Sequence, residues 1–305
     1  MPFCPTRKKF ILHIMTKLKF SPFFLALPAI ILIIIFAIYP IIQAIYLSLF
    51  DIGLLKQDKI FVGFNNYLKL FQDSVFQNSL IISLIYIAAA VLLQLFLGVG
   101  LALILNRENL LGKNIFRTIF LIPYVMSGLV ISLIWAWLFE YDFGLINAVL
   151  RGIGLSSIAW LDTFALPSTI IAYTWWTTSF AIILLESAMK VIPKVLYESA
   201  KIDGASSLKR FVHITIPGIK STLLITLLII TLFTLNDFNV IFILTAGGPA
   251  NRTDVLGMFM WRNAFKYFDL GYGSAIAVIF LLFNFVLSGI YILVFGTKTI
   301  RGEIH

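Results

Sequence analysis

Charge and cysteine are the two things that this chain has little of. Only 12% of its 305 residues are charged, whereas 60% are hydrophobic and the mean hydropathy is +1.00. A soluble domain carries about 25% charged residues, so this composition excludes an ordinary soluble protein and indicates an integral membrane protein. The single cysteine, Cys4, excludes an internal disulfide and a cysteine-rich metal or redox site.

The sequence also lacks clustered catalytic or metal-binding side chains. Its three histidines, His13, His213 and His305, are widely separated, and lone histidines are most often incidental. No G-x-x-x-x-G-K-[ST] phosphate-binding loop occurs in the chain. A membrane-embedded enzyme is disfavoured because no paired acids, nucleophile–base set or metal-ligand cluster converges in the apolar segments. We therefore expect no catalytic residue, no metal site and no cofactor bound by this chain.

Long apolar runs are what the chain does have. A helix that crosses about 30 Å of hydrocarbon needs about 20 mostly apolar residues. Six segments satisfy this, at about 23–50, 79–105, 115–138, 166–185, 221–244 and 274–295. Their continuity favours helices, since barrel strands alternate over about 10 residues. The predicted fold class is an all-α integral membrane protein, with one transmembrane domain of six helices over residues 1–305. The first run is too long for a signal peptide, and no A-x-A-like cleavage site follows it.

Basic residues are distributed unevenly between the predicted loops. Most of the 23 lysines and arginines lie in the N-terminal tail (1–22), the second and fourth loops and the C-terminus. The positive-inside rule therefore predicts that both termini and the loop at 186–220 are cytoplasmic. The same charge suits a bilayer that contains anionic lipid. Nucleic-acid binding is disfavoured because no basic stripe is interleaved with exposed aromatics on a soluble domain.

The first predicted outer loop, about 51–78, contains an amphipathic stretch. Phe64, Tyr67, Leu68 and Phe71 recur there at helical spacing. Two interpretations are equally open: a helix that lies in the membrane interface, or a lid that packs on the ends of the membrane helices.

The segment ESAKIDGASSLKRFVHITIP, residues 198–217, is polar and basic although it lies between two long apolar runs. Pro193 suits the first position of a helix, and Gly204 suits a C-terminal cap about three turns later. A second short helix is predicted to start at Ser206 and to stop near Ile214, before Pro217. Small and apolar residues on an exposed cytoplasmic helix favour docking in the groove of a partner. The alternative is a loop that lies on the inner membrane surface.

Residues of this segment resemble the EAA loop of ATP-binding-cassette importer permeases. The matching positions are Glu198, Ser199, Ala200 and Gly204, followed by Ile214–Pro217. Ser199 stands where the motif usually has alanine, and Ile216 where it has leucine. Four further stretches look like the carbohydrate-type branch of that family, which includes maltose and glycerol-phosphate importers. They are GFNNYLKLF from Gly63, FRTIFLIPYVMSGLVISLIW from Phe116, GGPANRTDVL from Gly247 and AFKYFDLGYGSAIA from Ala264.

The resemblance implies a division of labour among subunits in the cytoplasmic membrane of a prokaryote. This chain would pair with a second, homologous permease, with two nucleotide-binding subunits that use ATP and Mg²⁺, and with an extracytoplasmic solute-binding protein. The implied function is import of a sugar, oligosaccharide or sugar-phosphate-like solute by alternating access. A helix from about Pro193 to Ile202 would be the coupling helix. The residues implied in coupling are Glu198, Ser199, Ala200, Asp203, Gly204, Ala205, Ile214 and Pro217.

Asp237 is predicted to be the only carboxylate deep within a span. An unpaired charge at a helix centre costs about 2.5–3.5 kcal/mol, so we expect it to face the bundle interior or water. Aromatic faces beside hydrogen-bonding groups suit a sugar, and the corresponding helix of maltose-type permeases helps to form the substrate path. The predicted path comprises Trp175, Trp176, Thr177, Phe180, Phe233, Thr234, Asn236, Asp237 and Asn239.

Two alternatives to this substrate path remain open. In the first, the aromatics are interfacial belt residues and Asp237 locks the subunit to its partner permease. In the second, the protein is an ion-coupled secondary transporter or channel that uses Asp237 as its ion or proton site.

Overall fold

The computed structural model describes residues 22–53, 58–107 and 110–293. Most of the predicted N-terminal tail and the last residues of the sixth predicted span lie outside the described residues. Within the described part of the chain, five helices are long and apolar enough to cross a membrane. A sixth span is obtained when one sharply bent pair of helices is counted as a single crossing.

The described elements are almost all helical. In chain order they are α1 (Pro22–Ile33), α2 (Tyr39–Leu47), β1 (Phe50–Asp51), β2 (Ile60–Phe61), α3 (Asn65–Gln72), α4 (Ser74–Leu105), α5 (Lys113–Val125), α6 (Gly128–Leu138), α7 (Leu145–Gly152), α8 (Ala165–Val191), α9 (Lys194–Ile202), α10 (Ser207–Arg210), α11 (Ile216–Asn236), α12 (Asn239–Leu244), α13 (Leu256–Trp261) and α14 (Leu270–Tyr291). Single π-helical turns follow α1, α10 and α13 at Ile34–Ile38, Phe211–Thr215 and Arg262–Lys266.

Two of these π-helical turns stand directly before a proline in a membrane helix. The turn after α10 closes with the amide of Ile216 donating to the carbonyl of Phe211, and Pro217 follows. The wider turn accommodates a residue that has no amide hydrogen to donate. The helix therefore continues from α10 into α11. The prediction that it would stop before Pro217 is wrong.

The first two predicted spans have different bounds in the structure. The first helix ends at Leu47, not at Phe50, because Phe50 pairs with Phe61 in a two-stranded antiparallel sheet. The second begins at Ser74, earlier than the predicted residue 79. The side chain of Asp73 caps it by accepting a hydrogen bond from the amide of Val75 at 2.8 Å.

The third predicted span, 115–138, is not one continuous helix. α5 and α6 meet at an angle of 104° across Met126 and Ser127, both of which have extended backbone. Ser127 caps the second helix with its hydroxyl, which accepts from the amide of Val130 at 3.4 Å. A Cβ at Gly128 would lie 2.6 Å from the ring of Trp176, so the start of α6 packs closely on α8.

The later spans differ from prediction too. α8 runs to Val191, beyond the predicted end at 185, and it is the most buried of the candidate spans. The span predicted at 221–244 is interrupted, because α11 ends at Asn236 and α12 begins at Asn239. The sixth helix starts at Leu270 instead of residue 274.

α8 lies at the centre of the bundle and packs along α4. A Cβ added at Gly98 would lie only 2.8 Å from the Cβ of Ala181, so the two backbones approach closely at this point. By contrast, the α1–α2 helix has no buried residue in its most apolar window. Its side chains are therefore available to lipid or to another membrane helix.

The amphipathic stretch of the first outer loop forms α3 and packs on the helix ends. Leu70 is fully buried, and the amide of Asn66 donates to the carbonyl of Ser48 at 2.8 Å. The opposite face of α3 is apolar and open, with Phe64 74% and Leu68 61% exposed. The buried face of α3 therefore packs on the helix ends, as the lid interpretation predicts. Placement of its exposed apolar face in the membrane interface stays a prediction.

Candidate functional site

The helix predicted in the fourth loop is present as α9, and Gly204 ends it as predicted. Gly204 has φ +75°, a left-handed conformation that glycine adopts without strain. The amide of Ala205 donates to the carbonyl of Ala200 at 2.8 Å, and the amide of Gly204 donates to that of Lys201 at 3.1 Å. This pair of bonds is the Schellman arrangement. Pro193 occupies the N-cap, one position before the predicted place.

α9 is held to the bundle by one side and is open on the other. None of its residues is buried. The hydroxyls of Tyr197 and Thr215 form a hydrogen bond of 2.9 Å. This bond connects α9 to the π-helical turn that precedes α11. Val195 and Ile202 are 65% and 87% exposed. An apolar face of this kind on a short helix suits docking against another protein.

The residues implied in coupling lie along this exposed segment. Glu198, Ser199, Asp203, Gly204 and Pro217 are exposed, and Ala200, Ala205 and Ile214 are half-buried. Ile214 and Pro217 line an apolar cavity of about 410 Å³ that also contacts Leu196. The segment thus lies at the surface, and its apolar residues Ile214 and Pro217 line the cavity beside α9.

A buried ion cluster lies just before α9 in the chain. The carboxylate of Glu186, with only 6% of its side chain exposed, pairs with the guanidinium of Arg117 on α5 and with Lys190 Nζ at 2.9 Å. Glu186 is thus a buried carboxylate near the C-terminal end of α8, just outside the predicted fourth span of 166–185. The fourth span is predicted to end at 185, which places Glu186 in a loop. Arg117, a cation inside an apolar run, is the signal that could have indicated a carboxylate partner within the bundle.

Asp237 lies at the break between α11 and α12. Its backbone is extended, and its Oδ1 accepts a hydrogen bond from the amide of Asn239 at 2.8 Å. The side chain is half-buried, and the hydroxyls of Tyr86 and Tyr173 are close enough to interact with it electrostatically. Broken helices at membrane depth are tolerated where the backbone is buried in protein or lines a cavity.

Aromatic rings from three helices meet on one side of this break. The ring of Phe180 lies 5.7 Å from that of Phe233 and 6.0 Å from that of Tyr124. Close by in sequence, buried Thr234 accepts a hydrogen bond from the amide of Gln94 at 3.2 Å. The structure thus brings together Phe180 and Phe233 of the predicted path, and it adds Tyr124 and Gln94, which sequence reasoning missed.

Other residues of the predicted path have different surroundings. The side-chain amide of Asn236 donates to Oδ1 of Asn284 on α14 at 2.8 Å, so it is bonded to the last helix. Trp175 is 43% exposed and stacks edge-on with Trp135 at 5.8 Å. The hydroxyl of Thr177 donates to a carbonyl of its own helix at 2.8 Å.

Trp176 joins the two halves of the broken third span to α8. Its indole NH donates to the carbonyl of Met126 at 3.2 Å, directly at the bend, and its ring covers Gly128. The residue therefore holds the bend of α5 and α6 in this structure.

The loop between α12 and α13 contains a second buried acid. Asp254 is fully buried, pairs with Arg262 and accepts from the hydroxyl of Ser79 at 3.1 Å. Burial raises the pKa of the Asp254 carboxyl, and Arg262 opposes that rise. A Cβ at Gly247, which has φ +87°, would lie 2.9 Å from this carboxylate. Gly247 and Asp254 belong to the GGPANRTDVL stretch. The sequence therefore singles out this loop, but it does not predict the ion pair between Asp254 and Arg262.

A bundle of long apolar helices with a broken span in its interior is typical of membrane transport proteins. The chain belongs to the family of binding-protein-dependent transport system inner membrane components, whose model matches residues 94–295. The resemblance inferred from the sequence is thereby confirmed. Membership of this family favours a permease over the ion-coupled transporter or channel that the sequence left open.

Curated relatives and solved structures agree with this family. The chain is 33% identical to the sulfoquinovosyl glycerol transport system permease protein SmoG of Agrobacterium fabrum, over 89% of each chain. It is 35% identical to the trehalose/maltose transport system permease protein MalF of Thermococcus litoralis, over 90% of this chain and 94% of that one. A crystal structure of a bacterial ABC transporter that imports alginate has the same fold, with a TM-score of 0.78 and 24% identity over 96% of this chain and 99% of that one.

Proposed function

We propose that this chain is one permease subunit of an ATP-driven importer that moves a carbohydrate across the cytoplasmic membrane by alternating access. The family description supplies dependence on a binding protein. The two relatives named above carry a sulfoquinovosyl glycerol and the disaccharides trehalose and maltose. Since both chains match this one over about nine-tenths of its length, a sugar or sugar derivative is the substrate class that they support.

The observation that carries the proposal is the exposed apolar face of α9. A docking helix needs a partner, and the sequence has no phosphate-binding loop of its own. We infer that two nucleotide-binding subunits hydrolyse ATP with Mg²⁺, and that α9 docks on one of them as the coupling helix. A second, homologous permease completes the membrane part, and the open surface of α1–α2 is available to it.

The substrate path in this proposal passes the break at Asp237. Phe180, Phe233 and Tyr124 offer ring faces to the C–H faces of a sugar, while Asp237 offers carboxylate oxygens to its hydroxyls. The alternative role of Asp237 is contact with the partner permease. Alternating access requires an inward-facing and an outward-facing arrangement of the subunits. ATP can drive the switch only if it makes different contacts with the two arrangements.

The test of coupling uses two glycines with similar positive φ angles. Gly204 has φ +75° and Gly154 has φ +84°, and a Cβ added at either one would have no neighbouring atom within 4 Å. Valine at either site costs about 1–2 kcal/mol of backbone strain. In proteoliposomes that contain the complete complex and its binding protein, we expect Gly204→Val to lose sugar-stimulated ATP hydrolysis and transport, whereas Gly154→Val keeps both. Normal stimulation in Gly204→Val would count against the coupling role.

The energy source and the substrate class are tested in the same vesicles. We expect uptake to survive a proton ionophore and to stop without ATP, which is the reverse of what an ion-coupled carrier does. A panel of glycans, added with the binding protein, is expected to contain one that stimulates ATP hydrolysis. If amino acids or inorganic ions stimulate hydrolysis and no glycan does, the carbohydrate assignment is wrong.

A further inference from the structure

One cavity beside α9 is lined by six basic side chains. It has a volume of about 770 Å³ and lies between α9, the C-terminal ends of α4 and α8, and the start of α5. The cations that line it are Arg107, Lys113, Lys190, Lys194, Lys201 and Arg210. Among the described lining residues, Glu198 is the one carboxylate. The cations come from four separate elements and the loop after α4, so the fold gathers them into one place.

Helical spacing explains the contribution of α9. Lys194, Glu198 and Lys201 are three or four residues apart and therefore lie on one face of the helix. That face is distinct from the apolar one formed by Val195 and Ile202. α9 thus presents an apolar face to the outside and a basic face to the cavity.

In the described part of the chain, the cations that line the cavity outnumber the carboxylates beside them. Glu186 pairs with Lys190, with Nζ and Oε1 at 2.9 Å, and Glu198 lines the cavity itself. Lys194 has a partner of its own. The other five cations, Arg107, Lys113, Lys190, Lys201 and Arg210, still outnumber these two carboxylates, so the described lining carries a net positive charge. Like charges that share a cavity repel one another, and an anion between them would remove that repulsion. Asn106, Tyr197 and Thr215 also line the cavity. The hydroxyls of Tyr197 and Thr215 bond each other, so one hydroxyl proton of that pair and the amide of Asn106 can be donated to an oxyanion.

We propose that this cavity binds a phosphate-bearing anion and that the bound anion steadies the position of α9. In the predicted orientation the cavity lies on the cytoplasmic side, beside the ends of membrane helices, so an anionic phospholipid of the inner leaflet can supply the phosphate. Free phosphate or nucleotide in the cytoplasm is the other source of the same chemistry. The proposal goes beyond the importer function, because binding at this site requires neither transport nor ATP hydrolysis.

The experiment places the full chain, with its co-purified partner subunits, in phosphatidylcholine nanodiscs that contain rising fractions of phosphatidylglycerol. Mass spectrometry measures the phosphatidylglycerol retained after extraction. Arg107→Gln/Lys113→Gln removes two cavity cations away from the apolar face of α9. Lys209→Gln/Lys220→Gln is the matched control, since it removes two exposed cations of the same cytoplasmic side that do not line the cavity. Size exclusion shows whether each variant assembles.

We expect saturable retention by the unaltered protein. Each cation near an anionic headgroup contributes about fivefold in affinity, so the cavity variant should bind about thirtyfold more weakly and the control within about twofold of the original. The charge-conserving variant Arg107→Lys/Lys113→Arg should restore binding, which separates lost charge from misfolding.

Inorganic phosphate and ADP, added in separate arms, identify the source. Displacement of phosphatidylglycerol by either one assigns the site to a soluble anion, and no displacement assigns it to lipid. Three results overturn the proposal: equal losses in the cavity variant and the control, no saturable retention of any of the three probes, or binding only to complexes stripped of the nucleotide-binding subunits. The last result would mean that acidic side chains of those subunits fill the cavity.

Discussion

Replacing Glu186 by glutamine should destabilise the protein more than the loss of either of its cationic partners. Removing one partner of a fully buried ion pair costs about 3–5 kcal/mol, because the other charge stays buried without compensation. The Arg117 side chain is 34% exposed, so water recovers part of that loss, and we expect a cost of about 2–3 kcal/mol for Glu186→Gln. Lys190 is 46% exposed and one turn away on the same helix, so Lys190→Gln should cost about 0.5 kcal/mol or less.

A double-mutant cycle measures the pair directly. Glu186→Gln, Arg117→Gln and the double variant are unfolded by heat or denaturant in detergent micelles, and the free energies of unfolding are compared. We expect a coupling energy of about 1.5–2.5 kcal/mol, since groups in direct contact couple by about 0.5–3 kcal/mol. The reasoning is refuted if the two single effects add to within about 0.5 kcal/mol, or if Lys190→Gln costs as much as Glu186→Gln.

Two further predictions concern packing and an outer loop. Gly98→Ala should cost about 1–3 kcal/mol because its Cβ would lie 2.8 Å from that of Ala181. Gly100→Ala, on the same helix with nothing within 4 Å, should be neutral or stabilise by up to about 1 kcal/mol, and equal shifts in thermal unfolding would contradict the close contact. Asn147→Ala should cost about 2–4 kcal/mol, since this buried amide accepts from the indole NH of Trp160 at 3.1 Å and donates to loop carbonyls. Hydrogen exchange should then rise across residues 153–164, and unchanged protection there would show that other contacts hold the loop.

Much of the fold could be predicted because membrane helices have a direct signature in hydropathy. The six apolar runs correspond to the long helices and the bent pair, and the left-handed cap at Gly204 follows from glycine alone. The helix ends were less accurate, since they depend on caps such as that of Asp73, which hydropathy does not register. Charge counting predicted the side on which α9 lies, and that orientation stays a prediction.

The errors have a common physical cause, which is contact between distant segments. From hydropathy alone Glu186 is assigned to a loop, because its charge is unfavourable in a span. In the structure it belongs to α8, where its carboxylate pairs with Arg117. The bend at Met126 depends on the indole of Trp176, which is fifty residues later in the chain. The surroundings of the predicted substrate path were missed for the same reason. Tyr124 contacts Phe180 and Gln94 contacts Thr234, but both come from other helices, and no local sequence pattern connects them to the path.

The unbroken helix from Ser207 to Asn236 has a mechanical consequence. At 1.5 Å per residue it is a rod about 45 Å long, with one end beside α9 and the other at the break before Asp237. A small tilt of a stiff rod about its middle moves both ends by similar distances in opposite directions. Displacement of α9 by a partner would therefore reach Asp237 through one helix, and the far end would move about as far as the end beside α9.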